Sequence, residues 1–132
     1  MPRRILIVED ADTAATTLEI VLQTIPDVEV ARVTDGLRAV EYLAAEPGRA
    51  VDAVVTDLEM PFLDGYQLIE RLRREPRRQS VPIVVVSGCQ DPRAGERALE
   101  LGADAYFSKP WSPLAVRRKV EELLDHSSLR AV

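Results

Sequence analysis

Short unbroken apolar runs alternate along the chain with longer stretches in which apolar residues recur every third or fourth position. Ile5-Leu6-Ile7-Val8, Val54-Val55 and Ile83-Val84-Val85-Val86 are continuous and rich in β-branched residues, the pattern of strands buried on both faces. Between them, Leu18, Val21, Leu22 and Ile25 follow the i, i+3, i+4, i+7 spacing of one buried helical face. Val40, Leu43 and Ala44, then Leu68, Ile69 and Leu72, then Leu114, Val120, Leu123 and Leu124 mark three more inward-facing helices. The pattern predicts strands over residues 4–8, 28–33, 52–56, 83–86 and 105–108, each followed by a helix. Polar Glu29 and Arg32 interleave the second strand, which suits an edge of the sheet.

Local signals punctuate these elements. Pro26-Asp27 closes the first helix, Asp35 caps the second before Pro47-Gly48 ends it, and the third stops ahead of Pro76. A fourth helix spans residues 92–101 with Gly102 as its terminating residue, and Ser112-Pro113 opens the fifth. Strands and helices alternating at this spacing predict right-handed crossovers and a doubly wound parallel α/β sheet with helices on both faces. No repeat or linker interrupts the pattern, so residues 1–126 read as one domain and 127–132 as a C-terminal tail.

Composition narrows the chemistry. The chain has 132 residues, 46% of them hydrophobic, enough for one ordinary core. A single cysteine, Cys89, and a single histidine, His126, exclude Cys/His zinc sites and Ser-His or Cys-His catalytic pairs. No apolar run approaches the ~18 residues of a membrane helix, and Pro2-Arg3-Arg4 leads into a strand, so a cytoplasmic protein is expected. The net charge of −5 argues against direct nucleic-acid binding. Arg71, Arg73, Arg74, Arg77 and Arg78 cluster, but at the end of a predicted helix, where cations complement the dipole and solvate the surface.

What remains is a set of polar residues at the C-terminal ends of predicted strands, where parallel sheets place their ligands. Glu9-Asp10 follow the first strand, Asp57 the third, Ser87-Gly88 the fourth and Lys109 the fifth. Like charges ~5 Å apart repel by about 3 kcal/mol at an effective dielectric near 20, so three acids gathered there call for a cation. An all-oxygen site suits Mg²⁺ or Mn²⁺. Asp57 then reads as a carboxylate nucleophile for a phosphoryl group, with Lys109 as a compact ammonium beside it and Ser87 and Gly88 as hydroxyl and amide donors.

Glu9-Asp10, Asp57-Leu58-Glu59-Met60-Pro61, Asp64-Gly65, Ser87-Gly88, Gly102-Ala103-Asp104 and Lys109-Pro110 occur in an order that resembles the receiver domain of bacterial two-component response regulators, from end to end. The resemblance implies a flavodoxin-like sheet of order 2-1-3-4-5 and a cis Lys109-Pro110 bond. It implies a switch rather than an enzyme, accepting a phosphoryl group on Asp57 from a sensor histidine kinase or phosphotransfer protein and losing it again with Mg²⁺ present. By the same likeness, Asp10 and Asp57 bind the metal directly, Glu9 through water, and Glu59 through its main-chain carbonyl. Tyr106 would swing inward as Ser87 moves. The face of helix 4, strand 5 and helix 5, with Glu96, Arg97, Glu100, Arg117, Arg118 and Lys119, would meet a downstream protein, the chain being a monomer or weak dimer. Two departures are visible: Ser87 stands where threonine is commoner, and Asp104-Ala105 lacks a second acid. Two rival readings are a pseudo-receiver that binds without phosphorylation and a haloacid-dehalogenase-like phosphatase acting through Asp10. The latter is weakened by Thr13-Ala14, which departs from that signature. With no output segment after the last helix, either a stand-alone regulator or a receiver excised from a larger protein is expected.

Overall fold

The structure is a computed structural model that describes residues 2–45 and 51–130. Its elements run β1 (Arg3–Val8), α1 (Asp12–Leu22), β2 (Val28–Val33), α2 (Gly36–Ala44), β3 (Ala53–Thr56), α3 (Gly65–Arg74), β4 (Ile83–Ser87), α4 (Ala94–Leu101), β5 (Ala105–Ser108) and α5 (Pro113–Arg130), with a 3₁₀ turn at Pro76–Arg78. The five strands are parallel in the order β2-β1-β3-β4-β5. This is the flavodoxin-like arrangement anticipated above.

Alternation along the central strands divides the core in two. Leu6, Val8, Val54, Ile83 and Val85 face α2, α3 and α4 and pack with Ala39, Leu43, Leu68, Ile69, Leu72 and Ala98. Ile5, Ile7, Val55, Val84 and Val86 face α1 and α5 and pack with Leu18, Leu22, Val116, Val120 and Leu124. Burying each such Leu, Ile or Val contributes about 1.5–3 kcal/mol, which is why the strands read as unbroken apolar runs. β2 is half-buried along its whole length, as an edge strand should be.

Several inward-facing assignments shift. In α2 the buried residues are Gly36, Ala39 and Leu43, and Ala44 is exposed because it lies a quarter-turn past Leu43. Leu114 is 67% exposed; it sits in the first turn of α5, and the buried stripe starts at Val116. Ile25 is buried but follows α1, in the turn where Asp27 takes φ 56°. Pro47-Gly48 lies outside the described residues. α5 continues to Arg130, so the boundary drawn after His126 falls within a helix.

Arg73 and Arg78 are not solvating surface residues. Arg73 donates to the carbonyls of Gly102 (2.7 Å), Val81 (2.7 Å) and Arg78 (3.1 Å) and to Asp104 Oδ2 (3.1 Å). Asp104 Oδ2 also accepts from the Ile83 amide at 2.8 Å. One guanidinium therefore ties α3 to the start of β4 and to the α4–β5 turn, where Gly102 has φ 120°. Arg78 reaches across to the Leu43 carbonyl at 2.9 Å.

Candidate functional site

The site begins with strand register. Val8 of β1 pairs with Thr56 of β3, and the amide of Asp57 donates to the Val8 carbonyl (3.0 Å). The residues that leave these two strands, Glu9 and Asp57, therefore emerge side by side at the C-terminal edge of the sheet. Asp10 completes the group: one carboxylate oxygen from each of Glu9, Asp10 and Asp57 lies within 4.8 Å of the others.

The three acids differ in environment. Glu9 is 3% exposed, and its carboxyl is pushed up from 4.5 to about 7, first by burial and next by the charge of Asp57. The Ala11 amide, donating to Glu9 Oε2 at 3.2 Å, opposes that rise only partly. Asp57 is half-buried, and its Oδ1 accepts from the amides of Leu58 (2.7 Å) and Glu59 (3.4 Å). Its Oδ2 has no protein donor among the described residues. Asp10 is exposed.

Arg32, near the end of β2, fixes the loop that carries two of these acids. Its Nε and Nη2 donate to the Glu9 carbonyl (3.2 and 3.1 Å), and Nη2 also reaches the Asp10 carbonyl (3.4 Å) and Asp12 Oδ1 (3.0 Å). Asp12 is thereby drawn away from the acid group, its side chain 93% exposed, and the residue pair of the dehalogenase-like signature does not assemble into a site. Sequence reading took Arg32 only as a mark of an edge strand; nothing in its spacing announces the carbonyls it reaches.

The loop after Asp57 is closed at its base. The Gly65 amide donates to the Leu58 carbonyl at 2.9 Å, and a Cβ on Gly65 would fall 2.3 Å from the Asp57 carbonyl oxygen. Only glycine permits this approach. Asp64 then caps α3, its side chain accepting from the Gln67 amide while the Gln67 side chain accepts from the Asp64 amide. That capping box is legible as Asp-x-x-Gln. Glu59 is exposed and its side chain stands outside the acid group.

β4 and β5 supply the other half. Ser87 pairs with Ser108, is 1% exposed, and its Oγ accepts from the Cys89 amide at 3.1 Å. The Lys109 amide donates to the Ser87 carbonyl (2.9 Å), and the Lys109-Pro110 peptide is cis, as the resemblance implied. The lysine stem crosses Gly88 so closely that a Cβ there would meet Lys109 Cδ at 3.1 Å. Gly88 thus leaves room for the lysine. The Lys109 ammonium makes no ion pair among the described residues.

Tyr106 packs its ring on α4, where a Cβ on Gly95 would meet Cδ1 at 2.9 Å, and its phenol is pushed up, chiefly by burial. A cavity of about 560 Å³ lies between Gly88, Cys89, Asp91, Gly95, Tyr106 and Lys109. Trp111 packs against the core layer of α5. On the α4–β5–α5 face the structure alters one assignment: Arg117 donates to the Thr24 carbonyl (3.0 Å) and to Glu121 (3.1 Å), which turns it toward α1. Arg97 stacks over the Tyr66 ring at 4.0 Å.

Three converging carboxylates, one of them buried and proton-loving, form a site deficient in positive charge. Hard oxygen donors with solvent on one side fit a divalent cation of the Mg²⁺ type. The hydroxyl, the amide of Gly88 and the unpaired ammonium stand on the neighbouring strand ends, where they can meet a tetrahedral anion.

Comparison with known proteins identifies the family. The family model described as the response regulator receiver domain matches residues 5–121. The two-component response regulator ORR11 of Oryza sativa subsp. indica is 30% identical over 123 residues, covering 93% of this chain and 82% of that protein. A crystal structure of a putative response regulator from Chloroflexus aurantiacus superposes with a TM-score of 0.85 at 33% identity, covering 95% of this chain and 99% of the other. The receiver domain of the sensor histidine kinase PA1611 of Pseudomonas aeruginosa, solved with a magnesium ion coordinated in its active site cleft, superposes at 0.80 with 26% identity, covering 95% and 99%.

Proposed function

The chain belongs to the response regulator receiver domain family, and from that premise we propose that Asp57 is its phosphoryl acceptor, Glu9, Asp10 and Asp57 its metal-binding acids, and Ser87, Gly88 and Lys109 its phosphoryl-binding groups. The observation that carries the reading is the convergence of the three carboxylates at the ends of β1 and β3. Asp57 Oδ1 is held by two amides, which leaves Oδ2 as the attacking oxygen. As Oδ2 bonds to phosphorus, the phosphorus–nitrogen bond of a donor phosphohistidine breaks and the imidazole leaves with the electron pair. Water later attacks the acyl phosphate, releasing phosphate and restoring the carboxylate.

Mg²⁺ or Mn²⁺, held by Asp10 and Asp57 directly, by Glu9 through water and by the Glu59 carbonyl, would offset the charge on the transferring group. Lys109, with its stem guided over Gly88, supplies an ammonium to one phosphoryl oxygen, and Ser87 and the Gly88 amide supply donors to the others. Ser87 Oγ accepts from the Cys89 amide, so its O–H proton is available to a phosphoryl oxygen, and the movement that engages it frees Tyr106 to repack toward it. That repacking biases a two-state equilibrium read by a downstream protein on the α4–β5–α5 face. The donor is a sensor histidine kinase or phosphotransfer protein. Among the described residues no helix is long and apolar enough to cross a membrane, and a cytoplasmic location fits such a donor.

Incubation with Mg²⁺ and acetyl phosphate tests the proposal. One hydroxylamine-labile phosphoryl group per chain is expected, lost with EDTA and in Asp57→Asn. Labelling of Asp57→Asn at the wild-type rate would overturn it.

A further inference from the structure

Phe62, at the tip of the loop between β3 and α3, is the one apolar residue among the described residues, glycine aside, with a left-handed backbone. Its φ is 71°, and the Leu63 amide donates to the Pro61 carbonyl across it at 2.8 Å. That is a γ-turn of positive φ, a rare and strained form that disfavours a bulky side chain. Burial does not compensate. The residue is 83% exposed, more than Ile20 (64%), Leu114 (67%), Leu37 (46%) or Leu99 (49%). The chain therefore carries a strained, wetted aromatic that glycine or asparagine would replace without penalty to the fold.

Its position is informative. The loop closes at Gly65, against the Asp57 carbonyl, and three Cα–Cα steps place Phe62 within about 11 Å of Gly65. Gly36 lies against the Leu63 carbonyl, so half-exposed Leu37 borders the same rim. An interface of standard size covers about 800 Å² per partner, a disc of radius about 16 Å. An interface of that radius around Asp57 extends over the β3–α3 loop toward Phe62, whereas a small phosphodonor need not touch it.

We propose that Phe62 is an anchor and specificity-determining residue for the protein phosphodonor, its ring inserting into an apolar recess beside the donor's phosphohistidine. The inference rests on Asp57 being the acceptor. Exposed aromatics that become buried in a partner's pocket carry a large share of an interface's affinity at low entropic cost, which gives a role to a residue that the free chain leaves strained and exposed.

The test compares Phe62→Gly and Phe62→Tyr with wild type, using two donors: acetyl phosphate, and the autophosphorylated histidine kinase domain that labels wild type fastest among those encoded in the same genome. For Phe62→Gly the expected outcome is a Tm equal to wild type or a few degrees higher, acetyl phosphate labelling within about twofold, and kinase-donor kcat/KM lowered at least about tenfold. Phe62→Tyr should recover most of that loss. Wild-type kinase transfer in Phe62→Gly would overturn the inference, as would parallel loss of labelling from both donors, which would make Phe62 a support of the site. Absence of labelling of wild type by either donor would instead overturn the assignment of Asp57.

Discussion

At Glu9 the fold buries a carboxyl beside two others, and the consequence is a pH dependence of definite sign. The unfolded glutamate ionises near 4.5 and the folded one near 7, so between these values the unfolded state has released a proton that the native state keeps. Metal-free stability should therefore fall as pH rises through that window and level off above it, by on the order of 3 kcal/mol at most. Urea titrations in EDTA from pH 5 to 8 measure this, and Glu9→Gln should flatten the curve. Asp10 adds to the same repulsion but is exposed, so Asp10→Asn should raise metal-free stability by only roughly 1 kcal/mol. It should also abolish most of the stabilisation that millimolar Mg²⁺ gives wild type through mass action. A less stable Asp10→Asn that still gains normally from Mg²⁺ would show that the acids do not share a cation. Arg32 works in the opposite direction. Its guanidinium holds the main chain of Glu9 and Asp10, which keeps both acids in place although they repel.

Between elements, coupling runs through a few identifiable contacts. Arg73 joins α3 to the α4–β5 turn and to the head of β4, so Arg73→Met should leave three carbonyls and Asp104 short of a donor and cost roughly 2–4 kcal/mol in urea unfolding. Because Asp104 already serves Arg73 and the Ile83 amide, its carboxylate is committed within the chain and is a poor candidate for pairing with a second copy. Tyr106 on Gly95, and Lys109 over Gly88, connect the C-terminal edge of the sheet to α4 and β5. Amide exchange with and without beryllium fluoride as an acyl-phosphate mimic should show protection changes in the β4–α4 loop, α4 and β5. Changes confined to α1 and α2 would contradict this coupling.

Seen as a whole molecule, the site was legible because the sheet is buried on both faces. Continuous apolar runs mark β1, β3 and β4 without ambiguity, and a parallel sheet gathers whatever follows them at one edge, so Glu9, Asp10, Asp57 and Ser87 could be grouped before any coordinates. Ala44 and Leu114 were misassigned because helical periodicity defines a face only once the helix start is known. Arg32, Arg73 and the left-handed Phe62 were illegible for another reason: their partners or strain arise from tertiary placement, which residue spacing does not encode. The central claim remains that Asp57 is where the phosphoryl group resides. Reduction of the acyl phosphate with borohydride after labelling by acetyl phosphate and Mg²⁺ converts the modified aspartate to homoserine, and peptide mass spectrometry locates it. Homoserine at position 57 alone is the predicted result; homoserine at position 10, or at neither position in a labelled protein, would contradict the account.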